Sequence, residues 1–304
     1  MNTKLGFIGL GQMGRHCAAN LLKKAGSLVV YDINEAAATE LATQGAQKAA
    51  SASELGRTCD IVFFCLPNIE AVENILFGEG GMGEAIEPGR IFVDLSTCDF
   101  KITKDVAARV EAQGAYFLDC PISGMEARAK SGELSLMCGG KEEVFEKIRA
   151  YLEMMGTSVL YMGEHGLGQF SKTINNVLYN INMAGLAEIL PYTVKMGLEP
   201  EKVGLFVNAG TGRSYASEFF IPRILEGEFG YGFTMDMAYK DMKSAVEESA
   251  RSKIPTPVLN AAMTTYQMAL LEGYGNDYKG GMIKVYENLL GVSFRKWKGG
   301  EAHG

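Results

Sequence analysis

Lys172 and Asn176 stand four residues apart in the stretch Gly166-Leu167-Gly168-Gln169-Phe170-Ser171-Lys172-Thr173-Ile174-Asn175-Asn176. If that stretch is helical, the two side chains project from one face, and an ammonium lies beside a carboxamide. Such a pair can hold one oxygen atom. A lysine there can donate a proton to a carbonyl oxygen or accept one from a hydroxyl. An ordinary lysine titrates near ~10.4, so acting as a base requires burial or a neighbouring cation, with Lys240 a candidate neighbour, whereas acting as a donor requires no shift.

Other chemistries find little support. The three histidines, at 16, 165 and 303, have no metal-ligand spacing, so no metal is expected and a histidine base has little room. The six cysteines, at 17, 59, 65, 98, 120 and 138, form no CxxC pair and read as thiols in a reducing cytoplasm. A net charge of −7 and a pI near 5.2, with no basic block, argue against a nucleic-acid partner. No apolar run approaches the roughly eighteen residues of a membrane span, and the N-terminus lacks the apolar core and cleavage site of a secretory signal. A cytoplasmic protein with no membrane partner is expected.

The elements that must position Lys172 begin at the N-terminus. Leu5 to Ile8 is a short apolar run, followed by Gly9-Leu10-Gly11-Gln12-Met13-Gly14 and a helical pattern through Ala18, Leu21 and Leu22. Strand, glycine turn and helix are the context that a dinucleotide fingerprint needs. Gly9 allows the tight turn, Gly11 lets the backbone approach a pyrophosphate, and Gly14 lets helix and strand pack closely. The helix start at Gln12 and Met13 then offers backbone N–H groups to the phosphates. A second apolar run ends at Asp32, eighteen residues after Gly14, placed to accept from the adenosine ribose hydroxyls. That carboxylate would repel the extra phosphate of NADP by on the order of a few kcal/mol, and neither Ile33 nor Asn34 neutralises it. NAD is therefore the expected cofactor, ahead of NADP.

Further apolar runs at 61–66, 91–95, 116–119, 134–138 and 158–161 suit a sheet covered by helices on both faces. The fold class is α/β: a Rossmann-type, doubly wound N-terminal domain over 1–164, then an all-helical domain over 165–304 joined by a long helix. In such a sheet ligands bind at the carboxyl ends of the strands. Three of those ends carry polar or turn residues: Leu66-Pro67-Asn68, Ser96-Thr97 and Pro121-Ile122-Ser123-Gly124. Simple turn formation explains each of them equally well.

From Gly168 to Gly197 the apolar period is helical, and about 1.5 Å per residue gives a helix of some 40 Å, with a kink or break expected at Pro191. Helices are also expected near 200–208, 213–226, 234–252, 256–273 and 278–290, with a frayed tail from Lys298. Arg213, in a turn opening a helix, could pair with a carboxylate or lie exposed. Phe233 and Lys240, by composition, read first as core and as solvated face.

Together these residues resemble the β-hydroxyacid dehydrogenase family along essentially the whole chain. Four motifs match in order: the fingerprint at Phe7 to Gly14, the substrate loop at Asp119 to Gly132, the Gly-x-Gly-x-x-x-Lys-x-x-Asn-Asn run at Gly166 to Asn176, and Lys240-Asp241. The resemblance implies Lys172 as the catalytic lysine, Asn176 as its partner at the substrate, and Ser123 with Gly124 as the loop for the substrate carboxylate. It implies Leu66, Pro67 and Thr97 lining the dinucleotide, with Asn68 beside them, and Lys240 and Phe233 facing it from the helical domain. The implied reaction interconverts a small 3-hydroxy acid and its semialdehyde. An imine reductase, which generally carries Asp or Tyr where Lys172 stands, and a non-catalytic dinucleotide-binding protein are the competing readings.

One departure bears on the substrate. Where the family has a small Ser-Gly-Gly loop, this chain has Ser123-Gly124-Met125-Glu126-Ala127-Arg128, so the permissive glycine backbone at Met125 is expected to be lost and the pocket reshaped. Arg213 offers a place for a second acidic group. An apolar face along the long helix implies a homodimer or homotetramer.

Overall fold

The central strands are apolar at nearly every position, so neither face of the sheet can meet water. The computed structural model describes residues 3–230 and 233–297. Its strands are Leu5–Ile8 (β1), Val29–Tyr31 (β2), Gln47–Lys48 (β3), Ile61–Phe64 (β4), Ile91–Asp94 (β5), Tyr116–Asp119 (β6), Ile122–Ser123 (β7), Leu134–Gly139 (β8) and Gly156–Gly163 (β9). They form one sheet in the order β3-β2-β1-β4-β5-β6-β8-β7, with β9 on β8. Pairing is parallel from β3 to β6, and β8 runs antiparallel to β6 and β7.

Alternate side chains feed two separate cores. Leu5, Phe7, Ile61, Phe63, Ile91 and Val93 pack with Gly14–Ala25 (α1) and Glu35–Ala42 (α2). Ile8, Val62, Phe64 and Phe92 pack on the other face with Ala52–Thr58 (α3), Ile69–Phe77 (α4) and Phe100–Glu111 (α5). Each fully buried Phe or Leu contributes on the order of 1.5–3 kcal/mol. The doubly wound sheet therefore follows from the period-two pattern. The helices Met125–Ser131 (α6) and Glu142–Leu152 (α7) complete this part of the chain.

Two elements were not expected. β3 and β7 are two residues long, too short to show any alternation. Ile122 and Ser123, read in sequence as part of a turn, pair with Leu136 and Ser135 and continue the register that Asp119 begins against Gly139.

The long helix is Leu167–Lys195 (α8). It does not break at Pro191: a proline removes one backbone donor, and four residues from the helix end few further bonds depend on it. The chain divides into compact units at Met1–Lys172 and Thr173–Gly304, so Lys172 closes the first. The second unit holds Pro200–Ala209 (α9), Tyr215–Glu226 (α10), Met235–Arg251 (α11), Pro257–Leu271 (α12), a 3-10 turn at Lys279–Met282 and Ile283–Leu290 (α13). Phe220, Tyr266, Met282 and Ile283 lie at its core. Its β pairing, among the described residues, is an isolated bridge between Thr234 and Tyr278. The expected tail from Lys298 lies outside the described residues.

Two carboxylates are buried at the strand ends. Asp94 accepts from the Ser96 N–H at 2.9 Å, and burial pushes its carboxyl up from the ordinary 3.8 to about 6. A carboxyl group with a raised pKa binds its proton more tightly in the folded chain, so its contribution to stability is fully present below about 4 and lost as the pH rises through about 6. Asp94→Asn removes that contribution. Urea unfolding of both proteins from pH 4 to 7 should show the wild type losing on the order of 2–3 kcal/mol relative to the variant as the pH rises. Parallel stability profiles would contradict this.

Candidate active site

The glycine turn between β1 and α1 separates structural glycines from one that structure alone does not require. A Cβ on Gly14 would lie 1.9 Å from the Gly9 carbonyl oxygen, so nothing larger fits. A Cβ on Gly11 would meet nothing within 4 Å. Packing within the chain gives no reason for glycine there, and the open face suits the close approach of a pyrophosphate. The helix that follows opens at Met13 without a side-chain cap, which leaves its N-terminal dipole for an anion. The turn therefore fits a dinucleotide.

Asp32, just after β2, is fixed on this turn. One carboxylate oxygen accepts from the Leu10 N–H at 2.5 Å and the other from the Asn34 N–H at 2.7 Å. Neither neutral donor cancels its charge. Of the neighbouring strand ends, Leu66 donates its N–H to the Ser96 hydroxyl at 2.8 Å, and Pro67 and Thr97 are exposed. Asn68 caps α4 by accepting from the Ala71 N–H, which is the turn role the sequence also allowed.

The segment after β7 departs from the expectation at Met125. The glycine-like conformation is kept without the glycine: Met125 sits at φ 61, a left-handed backbone that side chains disfavour. Contacts of the next residue hold it. Glu126 accepts from the Gln12 amide at 2.7 Å and lies 3.1 Å from His16 Nε2 and 4.0 Å from Arg15, so the substrate-loop segment is tied to the glycine turn. Those contacts hold the exposed Glu126 carboxyl below its ordinary range. Ser123 and Gly124 lie at the start of this tied loop, Gly124 at φ 143.

The start of α8 is clamped onto the strand ends. Asp119 closes β6 and accepts from the N–H groups of Gly166 at 2.7 Å and Gln169 at 3.0 Å. Burial pushes its carboxyl up to about 6, against the pull of those two donors and of His165. Gly168 has no room for a side chain, since a Cβ would lie 2.4 Å from the Met137 carbonyl oxygen. The buried amide of Gln169 then donates to the Ser96 carbonyl at 2.8 Å and accepts from the Cys98 N–H at 2.9 Å, bracketing Thr97. Lys172, half-buried, follows three residues later.

The helical unit groups its own residues. Asn176 donates to Asp241 at 2.9 Å. Lys240 is exposed, and so, in part, is Phe233. The Lys279 ammonium lies 5.2 Å from the centre of the Phe233 ring and donates to Asn180 at 2.8 Å. Arg213 is exposed and lies 3.5 Å from Glu218, a carboxylate pairing of the kind its sequence allowed. Four of the thiols are poor nucleophiles: burial pushes Cys17 and Cys59 up to about 12, and Cys65 and Cys120 well above the ordinary value. The described residues contain no cluster suited to a metal ion.

Two family models match the two halves of the chain. The NAD binding domain of 6-phosphogluconate dehydrogenase covers residues 4–163, and the NAD-binding domain of NADP-dependent 3-hydroxyisobutyrate dehydrogenase covers 166–286. The chain is 36% identical over 293 residues to 2-(hydroxymethyl)glutarate dehydrogenase of Eubacterium barkeri, spanning 96% of this chain and 97% of that one. It is 33% identical over 280 residues to the human mitochondrial 3-hydroxyisobutyrate dehydrogenase, spanning 90% and 83%. The solved 3-hydroxyisobutyrate dehydrogenase of Mycobacterium tuberculosis with L-serine superposes with a TM-score of 0.83 at 26% identity, covering 93% of this chain and 99% of that one. The chain belongs to the β-hydroxyacid dehydrogenase family.

As a β-hydroxyacid dehydrogenase family member it has a nicotinamide dinucleotide as cofactor. Asp119, Gln169, Asp241 and Lys279, which hold the segments around Lys172 and Asn176, are not singled out by the sequence. The first three lie inside motifs already quoted, where a polar residue beside a proposed functional one was the available signal. Lys279, in Tyr278-Lys279-Gly280-Gly281, carries none.

Two substitutions test this geometry. Gly11→Ala should leave the melting temperature unchanged and weaken NADH binding, followed by fluorescence titration, by roughly tenfold or more; unchanged affinity would mean that no phosphate approaches there. Met125→Gly relieves the left-handed backbone and should raise the unfolding free energy, measured in urea, by up to about 1 kcal/mol. A clear loss of stability would show that Met125 contributes more through its contacts than its backbone costs.

Proposed function

We propose that this protein is an NAD-dependent oxidoreductase that interconverts a small 3-hydroxy acid and its semialdehyde, with Lys172 as the proton donor and acceptor. The observation that supports this reading is the clamped start of α8, which fixes Gly166 and Gln169 on Asp119 and on the Ser96-Thr97 segment at the carboxyl ends of the strands, with Lys172 three residues beyond Gln169 on the same helix. The relatives' names describe acids with a hydroxymethyl group on the carbon that bears a carboxylate, and we carry that class over.

When bound, the nicotinamide accepts or supplies the hydride. Ser123 and Gly124 hold the substrate carboxylate, and Lys172 holds the substrate oxygen. In reduction the Lys172 ammonium gives its proton to the carbonyl oxygen as charge develops there; in oxidation the amine takes the hydroxyl proton. The donor role needs no shifted pKa, which favours aldehyde reduction as the working direction. Asn176, one turn further along the same helix, orients the same oxygen. Asp32 selects NAD, because a phosphate on the ribose would meet its charge. Gln12, Met13, Leu66 and Pro67 lie along the dinucleotide in this reading.

The exposed apolar side chains of the second unit support a homodimer or homotetramer. Leu205 is 74% exposed and Phe206 64% on α9, with Leu178 and Ile189 exposed along α8. Light scattering should return two or four times the chain mass of 32.9 kDa. Six cysteines without a disulfide suit a reducing compartment, in keeping with the cytoplasm.

Initial rates with NAD and NADP across 3-hydroxy acids and semialdehydes test the reading. Turnover should prefer NAD and fall by roughly 10²–10⁴ in Lys172→Ala. Tight NADH binding with no turnover of any compound, or a fully active Lys172→Ala, would overturn it.

A further inference from the structure

Lys279 is the buried cation of the described residues, with 3% of its surface exposed. The other buried charges have evident structural partners: Asp94 and Asp119 accept backbone N–H groups, and Glu287 pairs with Arg295. Lys279 is held among an amide and aromatic rings of the helical unit. Its ammonium donates to Asn180 Oδ1 at 2.8 Å and lies 3.9 Å from the centre of the Tyr179 ring and 5.2 Å from that of Phe233. Aromatic faces attract an ammonium most where water is excluded.

The Asn180 contact has a directional consequence. An amide whose oxygen is held by an ammonium can present only its NH2 group elsewhere. That group points to the Ala238 carbonyl oxygen of α11, at 3.4 Å. One turn earlier on α8, Asn176 donates to Asp241, three residues beyond Ala238 on α11. Two asparagines at helical spacing thus meet one face of α11, and Lys279 sets the orientation of one of them.

The backbone leads to the same place. Met235 donates to the Asp277 carbonyl at 2.9 Å, Asp236 to that of Gly275 at 3.1 Å, and Thr234 bridges Tyr278. The segment that delivers Lys279 is therefore stitched to the residues just after Phe233.

We propose that Lys279 is a positioning residue for the reaction: its buried ammonium fixes the Asn180 amide and the Phe233 ring, and so holds the Asn176–Asp241 pair in register. This rests on the function proposed above, in which Asn176 meets the substrate oxygen. Lys279 does not itself touch substrate. Its removal lets α11 and the Phe233 ring shift relative to Asn176, which impairs turnover more than cofactor binding at the glycine turn.

Lys279→Met keeps the length and removes both charge and donor. At 25 °C the folded variant should lose roughly thirtyfold in kcat, with the NADH dissociation constant within about threefold of wild type. Asn180→Ala should lose comparably, and the double variant should lose no more than the worse single one, because the two residues act as one unit. A residue that only adds stability would lower the melting temperature, leave kcat alone and give no such coupling. Wild-type kcat in folded Lys279→Met, or fully additive losses, would overturn the proposal; if Lys279→Met does not fold, wild-type kcat in Asn180→Ala overturns it equally. A wild type that turns over no 3-hydroxy acid or semialdehyde would remove the underlying function and this inference with it, whereas an active wild type with an equally active variant removes the inference alone.

Discussion

A single buried carboxylate joins the sheet to the helix that carries the proposed chemistry. Asp119 ends its strand inside the protein, where a charge is costly to desolvate, and it is retained because the opening turn of the long helix supplies two N–H donors at 2.7 and 3.0 Å. The first turn of a helix has N–H groups with no partner of their own, so one interaction satisfies both sides. Its neighbours relay the constraint. Gln169 grips the backbone on either side of Thr97, and the Ser96 hydroxyl accepts from Leu66. The ends of three parallel strands are thereby tied into one polar ledge. Parallel strands end on the same side of a sheet, so the glycine turn, Asp32 and this ledge come from one topology.

Much of this was legible in the residues because the physics is local and repetitive. The fully apolar runs give both the strands and the helices that cover them, and the glycine fingerprint sits between the first strand and helix, as the backbone needs it. Lys172 and Asn176 keep their helical spacing in an unbroken helix. What escaped depends on partners distant in sequence. β7 exists because β8 offers it an antiparallel edge, which two residues cannot announce. Glu126 finds its partners 110 and 114 residues away. Lys279 finds Asn180 across 99 residues, and nothing in its immediate sequence separates it from a surface lysine.

Two places where local rules are broken, Met125 and Lys279, lie beside groups to which the proposal assigns a function, whereas the left-handed backbone of Lys253 lies just past the end of α11. Met125 takes a backbone conformation that glycine adopts more readily, in the loop assigned to the substrate carboxylate. Lys279 puts a cation in the core, against the Phe233 ring and the Asn180 amide, one helical turn from Asn176. Natural proteins tend to carry such violations at functional sites and offset them elsewhere. Here the offsets are visible: the Glu126 contacts with Gln12 and His16 in one case, the aromatic faces and Asn180 in the other.

The most direct test of the central claim, that the clamped helix brings Lys172 to the reacting oxygen, is a crystal structure of the chain with NADH and a 3-hydroxy acid that it oxidises. The pyrophosphate should lie on the open face of Gly11, and the Lys172 ammonium should be within hydrogen-bond distance, about 2.7–3.2 Å, of the substrate hydroxyl. A substrate hydroxyl held by other groups, with Lys172 turned away from it, would contradict the account.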